Sequence, residues 1–396
     1  TMFFVLFILG AGFSAAIMPL VASAEAQGDQ LRVRRVTRMG FWLSALYGLV
    51  VLPAFWWSSP LLQAFGQQLS LAEEVQRYLR IAGFAIVPAL LMMVVKSYLA
   101  ALEKTQVVLW ITVGGVGLNA VLNYALIFGH WGAPAMGIQG AAIASLLVNF
   151  VMFLGVAFYA AKTAPEHALF HRLWRLDWDV FGAVARMGVP VGLTSLAESG
   201  LFAASTIMMG WLGTVPLAAH GIAMQLTAAT FMIHLGLSNA ATIRAGNALG
   251  RRDEVHLRRG AWAVTGVAMV VVAATIYTFL MHPHALIGLF LDANEGDRAL
   301  ILQAGATLLA VAALFQLVDS VQAMALGLLR GVHDAGAPMV IAGVSYWMIG
   351  IPAAYYMGFV LQWQGVGVWL GLVVGLAVAA GLLMARFWIW SCKIEA

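Results

Sequence analysis

The stretch Gly12–Arg35, GFSAAIMPLVASAEAQGDQLRVRR, decides how this chain is read, because it returns 224 residues later as Gly236–Arg259, GLSNAATIRAGNALGRRDEVHLRR. At that constant offset Gly12 meets Gly236, Ser14 meets Ser238, Ala16 meets Ala240 and Ala24 meets Ala248. Asp29 then meets Asp253, and the pair Arg34-Arg35 meets Arg258-Arg259. Matches among alanines come cheaply in apolar helices, so the loop residues carry the weight against two merely similar basic loops. Each copy is an apolar helix running into a basic loop in the same direction, which predicts a parallel internal repeat of a membrane-crossing unit.

The surrounding composition requires a membrane. Of 396 residues, 62% are apolar and 10% charged, and 38 Lys, Arg, Asp and Glu side chains cannot cover a soluble exterior of this size. The same balance excludes a disordered chain and a nucleic-acid binder, and the single cysteine, Cys392, excludes a disulfide scaffold. A bilayer core of about 30 Å takes roughly 20 apolar residues as helix. Eleven such runs are expected near 1–24, 38–58, 78–101, 106–129, 137–161, 183–209, 215–241, 259–281, 300–328, 337–359 and 365–391. The fold class is therefore all-α and polytopic.

Threading these spans puts 18 Lys and Arg residues on one side, Arg32, Arg175, Arg251 and Arg386 among them. Only Arg77, Arg80 and Arg298 fall on the other. The positive-inside rule then places the carboxyl terminus in the cytoplasm and Thr1 outward, in a bacterial inner membrane. In the second copy a span at 183–209 precedes the repeated helix, whereas nothing precedes it in the first. The repeat thus predicts twelve spans in two six-helix lobes for the natural protein, with the first helix lacking here. The expected division is an incomplete amino-terminal lobe at 1–162, a cytoplasmic inter-lobe linker at 163–182 and a carboxyl-terminal lobe at 183–396.

A carboxylate in hydrocarbon is costly unless paired, hydrated or protonated, so each one near mid-depth is a functional candidate. Glu198 lies twelve residues beyond Arg186, and Asp319 eleven before Arg330, which puts both near mid-depth at about 1.5 Å per residue. The alternative is a structural hydrogen bond between helices. As a shared site the two acids would suit a coupling cation, a proton or sodium. Asn119 and Asn123, four apart on one helical face, either glue helices or line a polar chamber. Lys96 can snorkel to the interface, and the lone His220 and His234 read as core packing. Gly188 with Gly192 and Gly371 with Gly375 allow close helix contact, while Pro19, Pro88, Pro190 and Pro352 free backbone carbonyls inside spans. No phosphate-binding Gly-x4-Gly-Lys-Ser/Thr, His-Glu-x-x-His or Gly-x-Ser-x-Gly is present, so neither a self-contained ATP-driven pump nor an enzyme is expected, and no prosthetic group.

PVGLTSLAE at 190–198, QLVDSVQ at 316–322 and the following LLRGVHDAGAPM resemble the seventh and tenth helices of multidrug and toxic compound extrusion (MATE) transporters, in the NorM-like branch. LNAVLNYALIFG at 118–129 and GIQGAAIA at 137–144 are similar to the fifth and sixth. The resemblance implies a V-shaped pair of lobes exporting lipophilic, often cationic drugs in exchange for sodium ions or protons. It implies Glu198 and Asp319 as the acids of the carboxyl-terminal lobe, and Asn119 and Asn123 as part of a polar network in the amino-terminal one. Relatives with an acidic residue at the second of these positions differ from this chain, which has Asn123. Two alternatives stand beside the antiporter. One is a flippase for lipid-linked sugars of the same superfamily, which would want a basic chamber; the other is a non-transporting receptor or channel. No sequence feature requires more than a monomer, and the expected partners are small-molecule drugs, a coupling cation and the bilayer.

Overall fold

The computed structural model describes residues 2–64, 66–291 and 296–393. Thr1 and residues 394–396, the ends assigned to opposite membrane sides above, lie outside the described residues. Among the described residues, eleven helices are long and apolar enough to cross a membrane. They are α1 (Met2–Ala26), α2 (Gln30–Trp56), α3 (Leu69–Ala101), α4 (Gln106–Phe128), α5 (Ile138–Thr163) and α6 (Trp178–Leu212), followed by α7 (Thr214–Gly250), α8 (Glu254–Met281), α9 (Arg298–Gly331), α10 (Gly336–Val360) and α11 (Gln364–Ser391). Among the described residues there is no strand.

The spans occur where hydropathy places them, but the helices overrun it. Helix α2 starts at Gln30 rather than 38, and α7 continues to Gly250 rather than stopping near 241. Arginine is a good helix former, so charge ends the apolar run without ending the helix. The two basic loops of the repeat therefore shrink to three-residue corners, 27–29 and 251–253.

Those corners are the same object. Asp29 caps α2 by accepting from the Arg32 backbone N–H at 2.9 Å, and Asp253 caps α8 by accepting from the His256 N–H at 2.8 Å. Before each cap, the backbone N–H groups of Gln27, Gly28 and Asp29 donate to the carbonyls of Ser23, Glu25 and Ala24. Those of Arg251, Arg252 and Asp253 donate to Asn247, Leu249 and Ala248, every partner displaced by 224. Gly28 and Arg252 hold the left-handed position, at φ of 72° and 55°. This is a helix C-terminal turn closed by a left-handed residue. The same turn links α3 to α4 and α9 to α10, now at an offset of 230. Leu102, Glu103 and Lys104 donate to Tyr98, Ala100 and Leu99, while Val332, His333 and Asp334 donate to Leu328, Arg330 and Leu329. The second pair of corners shares almost no residue identity, which is why the sequence comparison did not show it.

The chain divides into two compact units, Thr1–Gly192 and Leu193–Ala396, with the boundary inside α6. In the first, Gly188 and Gly192 let α6 approach α1 so closely that a Cβ on Gly12 would collide with the backbone of both. Ser14 donates to the Leu90 carbonyl of α3 at 3.1 Å. The segment after α5 is fastened to this unit: His167 is hydrogen-bonded to Tyr98 at 2.6 Å, Trp42 donates to the Leu173 carbonyl at 2.7 Å, and Arg35 pairs with Asp177 at 3.5 Å. Before Pro88, which lacks the N–H for a regular turn, α3 tightens into a 3₁₀ turn at Gly83–Ala85.

In the second unit α9 is the central helix, buried along most of Phe315–Gly331. Small residues and hydroxyls join it to α7. Ser238 donates to the Ala323 carbonyl at 2.7 Å, repeating the role of Ser14, and Thr242 donates to the Gly327 carbonyl at 2.9 Å. Gly371 of α11 lies directly against the backbone of Ala354 and Gly375 against Gly350, so this glycine pair does make a close contact. Around Pro352, α10 widens into π-helical turns at Ser345–Gly350 and Tyr356–Val360.

Candidate functional site

Within the second unit, three helices bring polar groups together at mid-span. Helix α9 carries Gln316, Asp319 and Gln322 at three-residue spacing, all 2% exposed or less in a helix otherwise lined with Leu, Ala, Val and Phe. Helix α6 contributes Glu198, partly exposed, and α10 contributes the fully buried Tyr346 at the start of its π turn. Gln322 Nε2 donates to Glu198 Oε1 at 3.4 Å. Glu198 is close enough to Asp319 for the two charges to interact, and both lie within electrostatic reach of Tyr346.

Several oxygens in this cluster have no hydrogen-bond partner among the described residues: Asp319 Oδ1, Gln322 Oε1, Gln316 Oε1 and the Tyr346 hydroxyl. Buried polar atoms are almost always paired, so a group of unsatisfied oxygens beside two carboxyls is chemically specific. A hard cation takes oxygen ligands, and a proton needs only one carboxyl oxygen with an acceptor nearby. Arg330, one turn from the α9–α10 corner, is partly buried and interacts electrostatically with Glu198 and Tyr346.

Of the residues singled out from sequence, Glu198 and Asp319 thus share one polar cluster. Asn119 and Asn123 lie in the other unit, where Asn123 Nδ2 donates to Asn119 Oδ1 at 2.9 Å within α4. That bond is intrahelical, and Asn123 Oδ1 is left buried without a partner. His220 accepts from Trp369 Nε1 at 3.1 Å and lies 3.1 Å from the Thr206 hydroxyl, while His234 is 3.2 Å from the Ser320 hydroxyl. Both are packed in the core as expected, and Lys96 is exposed. Gln316 and Gln322 were missed, although their spacing around Asp319 was readable. Tyr346 and Arg330 had no such signal, because only the packing of α10 and α9 brings them to Glu198.

The chain matches the MatE family model over residues 1–125 and 190–356. It is 45% identical over 401 residues to the probable multidrug resistance protein NorM of Rhizobium meliloti, covering 100% of this chain and 85% of that protein. It is 42% identical to the protein of the same description from Agrobacterium fabrum, covering 97% and 83%. Its fold is similar to the crystal structure of a MATE P26A mutant, with a TM-score of 0.87, 20% identity and coverage of 100% of this chain and 87% of that one.

Proposed function

The chain belongs to the MATE family, and from that premise we propose that it is a secondary active multidrug exporter, moving lipophilic and often cationic compounds outward in exchange for sodium ions or protons. The observation that carries the coupling is the buried acidic cluster of the second unit. Two carboxyls in mutual electrostatic reach, with unsatisfied oxygens beside them, have a reason to bind a cation and a cost when empty. Cation and drug need only favour different facing states for antiport to follow. Asn119 and Asn123 serve as a polar patch of the first unit rather than as the ion site, since neither carries a charge. The basic corners lie in the cytoplasm of a bacterial inner membrane, and the monomer is the working unit.

The cluster sets the two carboxyls Glu198 and Asp319 against Arg330, so it is not the basic chamber that an anionic head group would want. This favours the exporter over a flippase for lipid-linked sugars. The test is a proteoliposome assay with a fluorescent organic cation, the sodium and proton gradients being imposed separately. Transport driven by at least one gradient is expected; transport indifferent to both overturns the antiport reading.

A further inference from the structure

The basic end of the first unit holds a second polar cluster, apart from the acidic one. A cavity of about 480 Å³ is lined by Arg34, Arg35, Arg38, Arg172 and Arg175, against the two carboxylates Asp177 and Asp179. Asp177 is already engaged, pairing with Arg35 at 3.5 Å and accepting from the Val180 N–H at 3.4 Å. Arg38 is the critical member. It is only 5% exposed, its one direct bond is from Nη1 to the Arg172 carbonyl at 3.3 Å, and its Nε has no partner. No carboxylate lies within ion-pair distance of it among the described residues, and Asp177, the acid in its electrostatic reach, is already paired with Arg35. A buried guanidinium without a matched anion is costly, and an anion entering this cavity would complete it.

Beside this cavity lies a second, of about 490 Å³, walled by Phe41, Trp42, Leu91, Phe153 and Phe170 and almost wholly apolar. Both are lined by neighbouring residues of α2 and of the segment after α5. Arg38 and Phe41–Trp42 are one turn apart on α2, about 5 Å along the axis. The strip 170–175 alternates between them, Phe170, Leu173 and Trp174 facing the apolar cavity and Arg172 and Arg175 the basic one. The seam is fixed by the bonds of Arg38 and Trp42 to the Arg172 and Leu173 carbonyls.

A cationic pocket joined to an apolar one, at the end of a membrane helix, matches the chemistry of one ligand class. We infer that this site binds an anionic phospholipid, its phosphate held by Arg38, Arg172 and Arg175 and an acyl chain lying against Phe41, Trp42 and Phe170. The lipid would clasp the segment after α5 to α2.

The experiment is native mass spectrometry of the delipidated full chain, titrated with phosphatidylglycerol, phosphatidylcholine or glycerol 3-phosphate. One phosphatidylglycerol should be retained saturably, and phosphatidylcholine and glycerol 3-phosphate at the same concentration should not. Arg172 and Arg175 are exposed, so the double variant R172Q/R175Q should fold, and its affinity for phosphatidylglycerol should fall about thirtyfold, at roughly fivefold per arginine. Phe170→Ala should weaken the diacyl lipid through the apolar wall. As a control for charge alone, R258Q/R259Q removes two exposed arginines beside the equivalent corner of the second unit and should leave binding unchanged. Equal retention of phosphatidylcholine, equal binding of glycerol 3-phosphate, or equal loss in the two double variants would each overturn the assignment.

Discussion

Gln322 Nε2 lies 3.4 Å from Glu198 Oε1, and Gln322 sits one turn from Asp319 on the same side of α9, so one hydrogen bond links the acid of α6 to the helix that carries the acid of α9. The link makes the two carboxyls testable as a unit.

Glu198→Gln and Asp319→Asn keep volume and hydrogen-bonding capacity while removing the titratable charge. Each is expected to reduce gradient-driven efflux in proteoliposomes to near background, and the double variant should add little, as for residues acting together. Two well-folded variants exporting at wild-type rates would make the acids structural. Loss confined to Asp319→Asn would move the ion site away from Glu198.

Gln322→Leu removes the donor to Glu198 without touching either carboxyl. Transport should survive at saturating coupling ion, with the concentration of that ion needed for half-maximal rate raised about tenfold or more. Losing one hydrogen bond to a charged group costs about 1.5–3 kcal/mol. An unchanged ion dependence would show that the amide does not hold Glu198 in place.

The repeated corners predict effects of opposite sign at equivalent positions. At Gly28 an added Cβ meets nothing within 4 Å, so Gly28→Ala imposes only the left-handed backbone cost, about 1 kcal/mol. Arg252→Gly relieves the same strain and should stabilise by a similar amount. Asp29→Ala and Asp253→Ala should each cost about 1 kcal/mol as lost helix caps. Unfolding of the detergent-solubilised protein measures all four, and like signs for Gly28→Ala and Arg252→Gly would contradict the equivalence.

Gly371→Val should prevent folding, because a Cβ there overlaps the backbone of Ala354, which cannot yield as a side chain would. The cost should exceed the 1–3 kcal/mol typical of overpacking. Gly381 has open space around its Cβ position, so Gly381→Ala should be neutral or stabilising by up to about 1 kcal/mol. Size-exclusion profiles of the two variants distinguish them, and a monodisperse Gly371→Val would contradict the packing described.

By itself the sequence determined the membrane class, the eleven spans and the first of the repeated corners, because hydropathy, charge asymmetry and local capping chemistry are written within a few consecutive residues. Asp29 and Asp253 could be matched as letters since each acts on a neighbour three residues away. It also determined that Glu198 and Asp319 were exceptional, since a carboxylate at mid-span is costly wherever it points. Tertiary structure decided the rest. That basic stretches such as Gln30–Arg38 stay helical depends on backbone propensity continuing past the bilayer edge. The second pair of corners has one backbone geometry with different side chains, so no residue pattern marks it. Tyr346 reaches the acids, and Arg38 faces Arg172, only because helices and segments distant in the chain pack together. Contacts of that kind depend on the close approach of whole helices, and no local run of residues records them.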